Sequence, residues 1–442
     1  VKADIRIAWT LARGSERREW WRISLTLLGA LLATGFALAA VTIAAVPGQV
    51  SIPYAHGLLD QPGQRAGVVL TLVLLLIPVL GFLGQCARIG AVHRHRRTAG
   101  MRLAGASPAQ MRRIAAAESG FACLAGSTAG SAAFAVLLAV TGHAPRPVAW
   151  AGFAAVVVAV PLVAALVSVF ALRHVVASPL DHVRTTGPDR GRRAVLGFML
   201  AAALIATAGL LTLFPASLGF TPFALLVLGL VVFSGAGAIW TAGAFAAFVG
   251  RRLTLRAKSP AVLIAASRLA HDPWAAARTH AALLLVTVVG VGFVGVRGVL
   301  LETLSVGYRP VDLAFYTTGI DLAGSAVLVA LAISLCGLAV GTAESLATRR
   351  RGLAAQAAAG VPHRVLAKAA LLETALPLAP ALLLAGTGGT VVYLVYATIA
   401  GTGAPLLPLL VPVAVYAACL LAAATSLPLL RRVAHPAELR FT

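Results

Sequence analysis

The stretch RRTAGMRLAGASPAQMRRIAAAESG, Arg96 to Gly120, lies between two long apolar runs and carries five arginines against a single acid, Glu118. A second stretch, RRRGLAAQAAAGVPHRVLAKAALLETA, Arg349 to Ala375, has the same form. At one common shift, Gly360 stands where Gly105 does and Glu373 where Glu118 does. Within the first stretch Ser107-Pro108-Ala109-Gln110 reads as a helix start. Serine caps, proline suits the first helical position, and glutamine closes the capping box. Gly105 permits a sharp turn just before it, and Met101 to Ala104 predict a short helix. Each stretch is thus a basic helical hairpin hung between two apolar helices.

Those flanking runs set the class. The 442 residues are 60% hydrophobic and only 11% charged, with a mean hydropathy of +0.92. A soluble domain carries about 25% charged residues, so the chain reads as an all-α polytopic membrane protein. Ten apolar runs are long enough to cross a bilayer, near 23–46, 67–87, 114–141, 148–172, 194–214, 221–249, 280–301, 322–346, 370–398 and 406–430. Gly and Pro interrupt ETALPLAPALLLAGTGG in the ninth, so a bend or a late entrance into the membrane is expected there. The first run reads as a span rather than a cleaved leader.

The formal charge of +22 is not spread evenly. Segments 1–22, 88–113, 173–193, 250–278, 347–368 and 431–442 hold nearly all the Lys and Arg, while the opposite loops hold Arg65, Arg146 and Arg309. The positive-inside rule then places both termini in the cytoplasm. The charge is accounted for by that bias and by anionic headgroups; no nucleic-acid-binding module is present. The outward loops are too short for a large extracellular domain. Cys86, Cys123, Cys336 and Cys419 all fall in apolar runs without metal-ligand spacing and read as small buried hydrophobes.

The hairpin is one of several matched blocks. WTLARGSERREWW parallels SRLAHDPWAAAR ahead of each half, and RHVVASPLDHVR parallels LRRVAHPAELR behind it, pairing Pro179 with Pro436 and Asp181 with Glu438. The order implies a parallel duplication: a four-span unit over 1–187, a two-span insert over 188–257, and a second four-span unit over 258–442.

Taken together, these motifs resemble the FtsX/MacB-like permease family, the membrane subunits of a class of ATP-binding-cassette (ABC) transporters. That family has a basic R-x-x-G-x-x-R-x-L-G-A-s type stretch between its second and third spans, a glutamate at the head of the third, and a P-x-E-x-L-R type exit. The resemblance implies that the short helix docks on a cytoplasmic ATPase. The docking residues carried over are Gly100, Met101, Arg102, Leu103, Gly105 and Ala106 in the first copy, and Ala355, Ala358, Ala359 and Gly360 in the second. Glu118 and Glu373 would support them. The second copy departs with Ala357 for Arg102 and Pro362 for Ser107. No G-x-x-x-x-G-K-[ST] phosphate loop occurs around any of the three lysines, so ATP and Mg would sit on a separate ATPase, expected in two copies. The chain itself is then no enzyme, and no catalytic or metal-binding residue is assigned.

The implied function is export or extraction of an amphiphile such as an antibiotic, peptide or lipid-like molecule across a bacterial plasma membrane. Two other classes stand beside it: a mechanotransmitting or signalling subunit without cargo, and an ion-coupled secondary transporter. Arg297, near the outer end of the seventh run, either snorkels to headgroups or pairs with Glu302, Asp312 or Asp321, which also offer negative charge to a cationic cargo. Trp9, Trp20, Trp21 and Trp274 in the entrance segments suit the headgroup level.

Overall fold

The computed structural model describes Thr10 and residues 17–51, 59–88, 105–142, 147–177, 220–307 and 310–434. Every regular element among them is helical. The chain divides into two compact units, Val1–Arg184 and Thr185–Thr442.

In the first unit, α1 (Arg17–Ala44), α2 (Pro62–Arg88), α3 (Pro108–Val140) and α4 (Pro147–Ala177) follow one another. Helix α1 packs along α2, α3 and α4, and α4 also meets α2 and α3. In the second unit, α5 (Phe220–Arg256) and the short α6 (Pro260–His271) precede α7 (Pro273–Gly307) and α8 (Pro310–Thr348). Then come α9 (Arg350–Ala358) and α10 (His363–Ala400). A 3₁₀ turn (Leu407–Leu410), α11 (Val411–Ala424) and α12 (Leu427–Val433) complete the unit. Here α7 packs along α8, α10 and α11, and α11 meets α8 and α10. The second unit therefore reproduces the neighbours of the first, with α7, α8, α10 and α11 in the places of α1, α2, α3 and α4. Helix α5, from the expected insert, packs against α7 and α10 within the second unit.

Small residues let the first and third spans approach in each unit, the usual device where lipid removes the hydrophobic drive between helices. A Cβ at Gly126 of α3 would run into the Leu27 carbonyl of α1, and one at Gly130 would meet Leu31 and Thr34. The equivalent positions in α10 are Ala381 and Ala385, both fully buried, and Gly389 one turn later lies against the Val288 carbonyl of α7. The first unit adds a buried hydrogen bond, from Thr34 Oγ1 to Ser127 Oγ at 3.1 Å.

Among the described residues, eight helical segments are long and apolar enough to cross a membrane: α1, α2, α3, α5, α7, α8, α10 and the run Leu407–Val433. Helix α4 has a shorter apolar stretch, Trp150–Val163. The expected fifth run, 194–214, lies outside the described residues. Leu328, Leu383 and Leu421 are 66%, 69% and 70% exposed. Such a rim of bare leucines suits hydrocarbon, and the architecture is that of an α-helical polytopic membrane protein.

Several local expectations change. The ninth run is one unbroken helix from His363 to Ala400, with Pro377 and Pro380 inside it. The tenth run instead breaks between α11 and α12, where Pro428 in the first turn of α12 has no N–H to continue the ladder. Cys86, Cys123 and Cys419 are buried, but Cys336 is exposed on α8 and is not a buried hydrophobe. Trp274 also packs between helices. Its ring covers Gly243 of α5 and meets Trp240 edge-on at 5.8 Å. The other three tryptophan side chains lie outside the described residues.

Candidate functional site: the two hairpins

Both hairpins turn on a left-handed glycine. Gly105 has φ +91° and Gly360 φ +89°, a conformation open to glycine at little cost. Three residues after each, the third span of the unit begins, at Pro108 and at His363.

In the first hairpin the helix start is self-contained. Ser107 Oγ accepts from the Gln110 N–H at 3.2 Å, and Gln110 Oε1 accepts from the Ser107 N–H at 2.9 Å. This is the reciprocal capping box that the sequence predicts. Gly105 is exposed and Ala106 half-buried. Gly100, Met101, Arg102 and Leu103 lie outside the described residues. Glu118 is buried within α3, at 7% exposure.

The second hairpin is described throughout. Helix α9 ends in a Schellman arrangement: the Gly360 N–H donates to the Ala357 carbonyl, and the Val361 N–H to the Gln356 carbonyl, each at 3.0 Å. Its inner face is apolar. Leu353 packs with Leu346 of α8, Leu366 of α10 and Leu430 of α12, with Ile264 of α6 and Val361 beside them. Its outer face consists of small and charged residues. Ala355, Ala358, Ala359 and Gly360, the residues expected to dock, are all exposed, together with Arg351 and Gly352.

Glu373 fastens this helix to the spans. Its Oε1 accepts from Arg268 Nη1 of α6 at 2.8 Å, and its Oε2 accepts from Arg349 Nη1, the residue that opens α9, at 2.7 Å. The Glu373 side chain is only 16% exposed, and Arg268 and Arg349 are 20% and 36% exposed. Charge-assisted bonds at these distances are the strong class, and partial burial protects them from salt. Both carboxylate oxygens are engaged, so Glu373 acts as a pin rather than as a base or nucleophile. It ties α6, the start of α9 and α10 into one node.

Sequence reasoning singled out Glu373 but neither arginine. Arg349 opens the quoted hairpin and Arg268 sits in an entrance segment, yet no local spacing links residues so far apart. A shared positive charge opposite a lone acid is the signal that could have suggested the node.

The charged residues of α7 and α8 form a looser set. Arg297 Nη2 lies 3.8 Å from Asp321 Oδ1, with side chains 46% and 70% exposed. This is a long and open ion pair, of the kind that contributes little. Glu302 is exposed on α7. Asp312 lies on α8, with its side chain outside the described residues. Among the described residues no three His, Cys, Asp or Glu side chains converge as a metal site requires. No family model, no curated protein and no solved structure matches this chain.

Proposed function

We propose that the chain is the permease subunit of an ABC-type export system, built from two parallel four-span units and driven by a separate cytoplasmic ATPase. The observation that carries the reading is the mounting of α9. A short helix offers a bare face of small residues, while its other face and its first residue are fixed to α6, α10 and α12. A partner pressing on Ala355, Ala358 and Ala359 would move the ends of membrane helices rather than a free loop. Small side chains suit close docking of a helix in a groove, and the flanking arginines suit an acidic rim.

On this reading the basic faces lie in the cytoplasm, ten spans cross a bacterial plasma membrane, and ATP with Mg is bound by the partner, expected as two copies. The cargo is an amphiphile taken from or delivered to the bilayer. The first docking element is centred on Leu103 and Gly105.

The decisive experiment is copurification with phosphate-loop ATPases, followed by ATP hydrolysis in lipid discs. Leu103→Asp with Gly105→Asp should abolish docking at the first hairpin, and Ala355→Asp with Ala358→Asp at the second. The reading fails if no ATPase associates, or if association survives damage to both hairpins. Movement of labelled amphiphiles in vesicles distinguishes export from signal transmission. Dependence on an ion gradient alone would favour a secondary transporter.

A further inference from the structure

The end of the first unit away from the hairpin holds a second arginine of interest. Arg65 stands in the first turn of α2 and is only 3% exposed. One arm of its guanidinium, Nη2, donates to the Gly48 carbonyl just beyond α1. The other, Nη1, is buried and has no hydrogen-bond partner among the described residues. A buried cationic donor left open is costly, so a natural chain that keeps one is expected to have something to put on it.

The surroundings say what. Arg65 lines a cavity of ≈ 440 Å³ between α1 and α2, whose other walls include Ile43, Val46, Pro62, Val69, Leu70 and Val73. Val69 and Val73 follow Arg65 at one-turn and two-turn spacing, so the apolar wall runs about 12 Å down α2 from the guanidinium. Leu70 and Val73 are 59% and 46% exposed, which joins this wall to the bare apolar surface that hydrocarbon would cover. A fixed, buried cation in the lining and an apolar wall that continues onto bare surface form a two-part site.

We infer that this groove holds an anionic phospholipid of the bilayer. Its phosphate receives the free Nη1 arm of Arg65, and an acyl chain lies along Val69, Leu70 and Val73. Guanidinium suits a phosphate oxygen better than an ammonium would, because its fork keeps one arm on Gly48 while the other meets the ligand. The inference does not depend on the transport reading, because the groove lies within the first unit and needs no ATPase.

The test is native mass spectrometry of the full chain, delipidated in detergent and then given phosphatidylglycerol and phosphatidylcholine at equal concentration. Phosphatidylglycerol should be retained about tenfold better, the scale of one or two charge-assisted hydrogen bonds. Arg65→Gln should remove that preference. Because this change also loosens the Gly48 contact, Val73→Trp serves as a second variant. It fills the acyl groove, leaves Arg65 in place, and should lower phosphatidylglycerol retention by about fivefold or more. Equal retention of the two lipids would overturn the inference, and so would unchanged retention in the Val73→Trp protein. Inorganic phosphate displacing the lipid as readily as a soluble short-chain phosphatidylglycerol does would make this a free-anion site and would also overturn it.

Discussion

The two units hold equivalent helices with different chemistry. In the first, α3 starts with its own capping box and crosses α1 over Gly126 and Gly130 with a Thr34–Ser127 hydrogen bond. In the second, α10 starts at Pro362 without any side-chain cap and crosses α7 over Ala381, Ala385 and Gly389. Helix α10 is instead tied to α6 and to the start of α9 by Arg268 and Arg349 on Glu373, in its third turn. The same backbone path can therefore be secured by neighbours in sequence or by neighbours in space. In the second unit the neighbours in space tie the hairpin to other helices.

The helix crossings are where the two units should be most alike. Gly126→Leu and Gly389→Leu each drive a side chain into a backbone carbonyl of the partner span, and each should cost about 3 kcal/mol of stability. Thermal unfolding in detergent, followed by circular dichroism, measures this. If either change is tolerated without loss, the first and third spans are not closely held in that unit, and the comparison fails at its base.

The node at Glu373 is the next test, because it ties three helices of the second unit together. Glu373→Gln leaves two arginines facing a neutral amide, and the expected loss is about 2 kcal/mol, reduced from the fully buried case because the arginines are partly exposed. Arg268→Gln and Arg349→Gln should each lose less. A double-mutant cycle of Glu373 with Arg349 should show a coupling of about 1 kcal/mol, and additive losses would mean that α9 is not pinned through this pair. The same substitutions should raise hydrogen exchange in α9 while leaving α3 unchanged.

How much of this was legible follows the range of each interaction. The all-helical class, the glycine turns and the Ser107–Gln110 box depend on residues within a few positions of one another, and composition and spacing expose them. The exposed face of α9 was also within reach, because Leu353, the one large apolar residue of that helix, leaves Ala355 and Ala358 on the opposite side. The Glu373 node was not, since Arg268 lies 105 residues away along the chain. Nor was the fate of Trp274: an aromatic near a span end suits headgroups equally well until Gly243 is seen beneath the ring. The span of α10 was itself legible as the run 370–398, and the helix continues through Pro377 and Pro380.

The glycine turns offer a matched pair of intermediate size. Among the described residues nothing lies within 4 Å of the Cβ that alanine would add at Gly105 or at Gly360, and both positions have a left-handed backbone. Each Gly→Ala change should cost about 1 kcal/mol. Equal losses would say that both hairpins hold the same turn under the same load. A clearly larger loss at Gly360 would mean that the Schellman bonds to Ala357 and Gln356 carry more of the second hairpin than their counterparts carry of the first.

The smallest effect belongs to the cap itself. Ser107→Ala removes one partner of each bond in the box, and at so exposed a position the cost should be about 0.5 kcal/mol, near the low end for N-caps. Gln110→Ala should cost about half as much, because it leaves the serine cap in place. The informative comparison is with Pro362→Ser. That change supplies the missing cap hydroxyl but surrenders the stiffness of proline, and the two contributions should nearly cancel. If Pro362→Ser instead stabilises the second unit by more than Ser107→Ala destabilises the first, then the distant arginines only partly replace a local cap. The node at Glu373 would then serve to couple α9 to the spans rather than to hold α10 in its helical start.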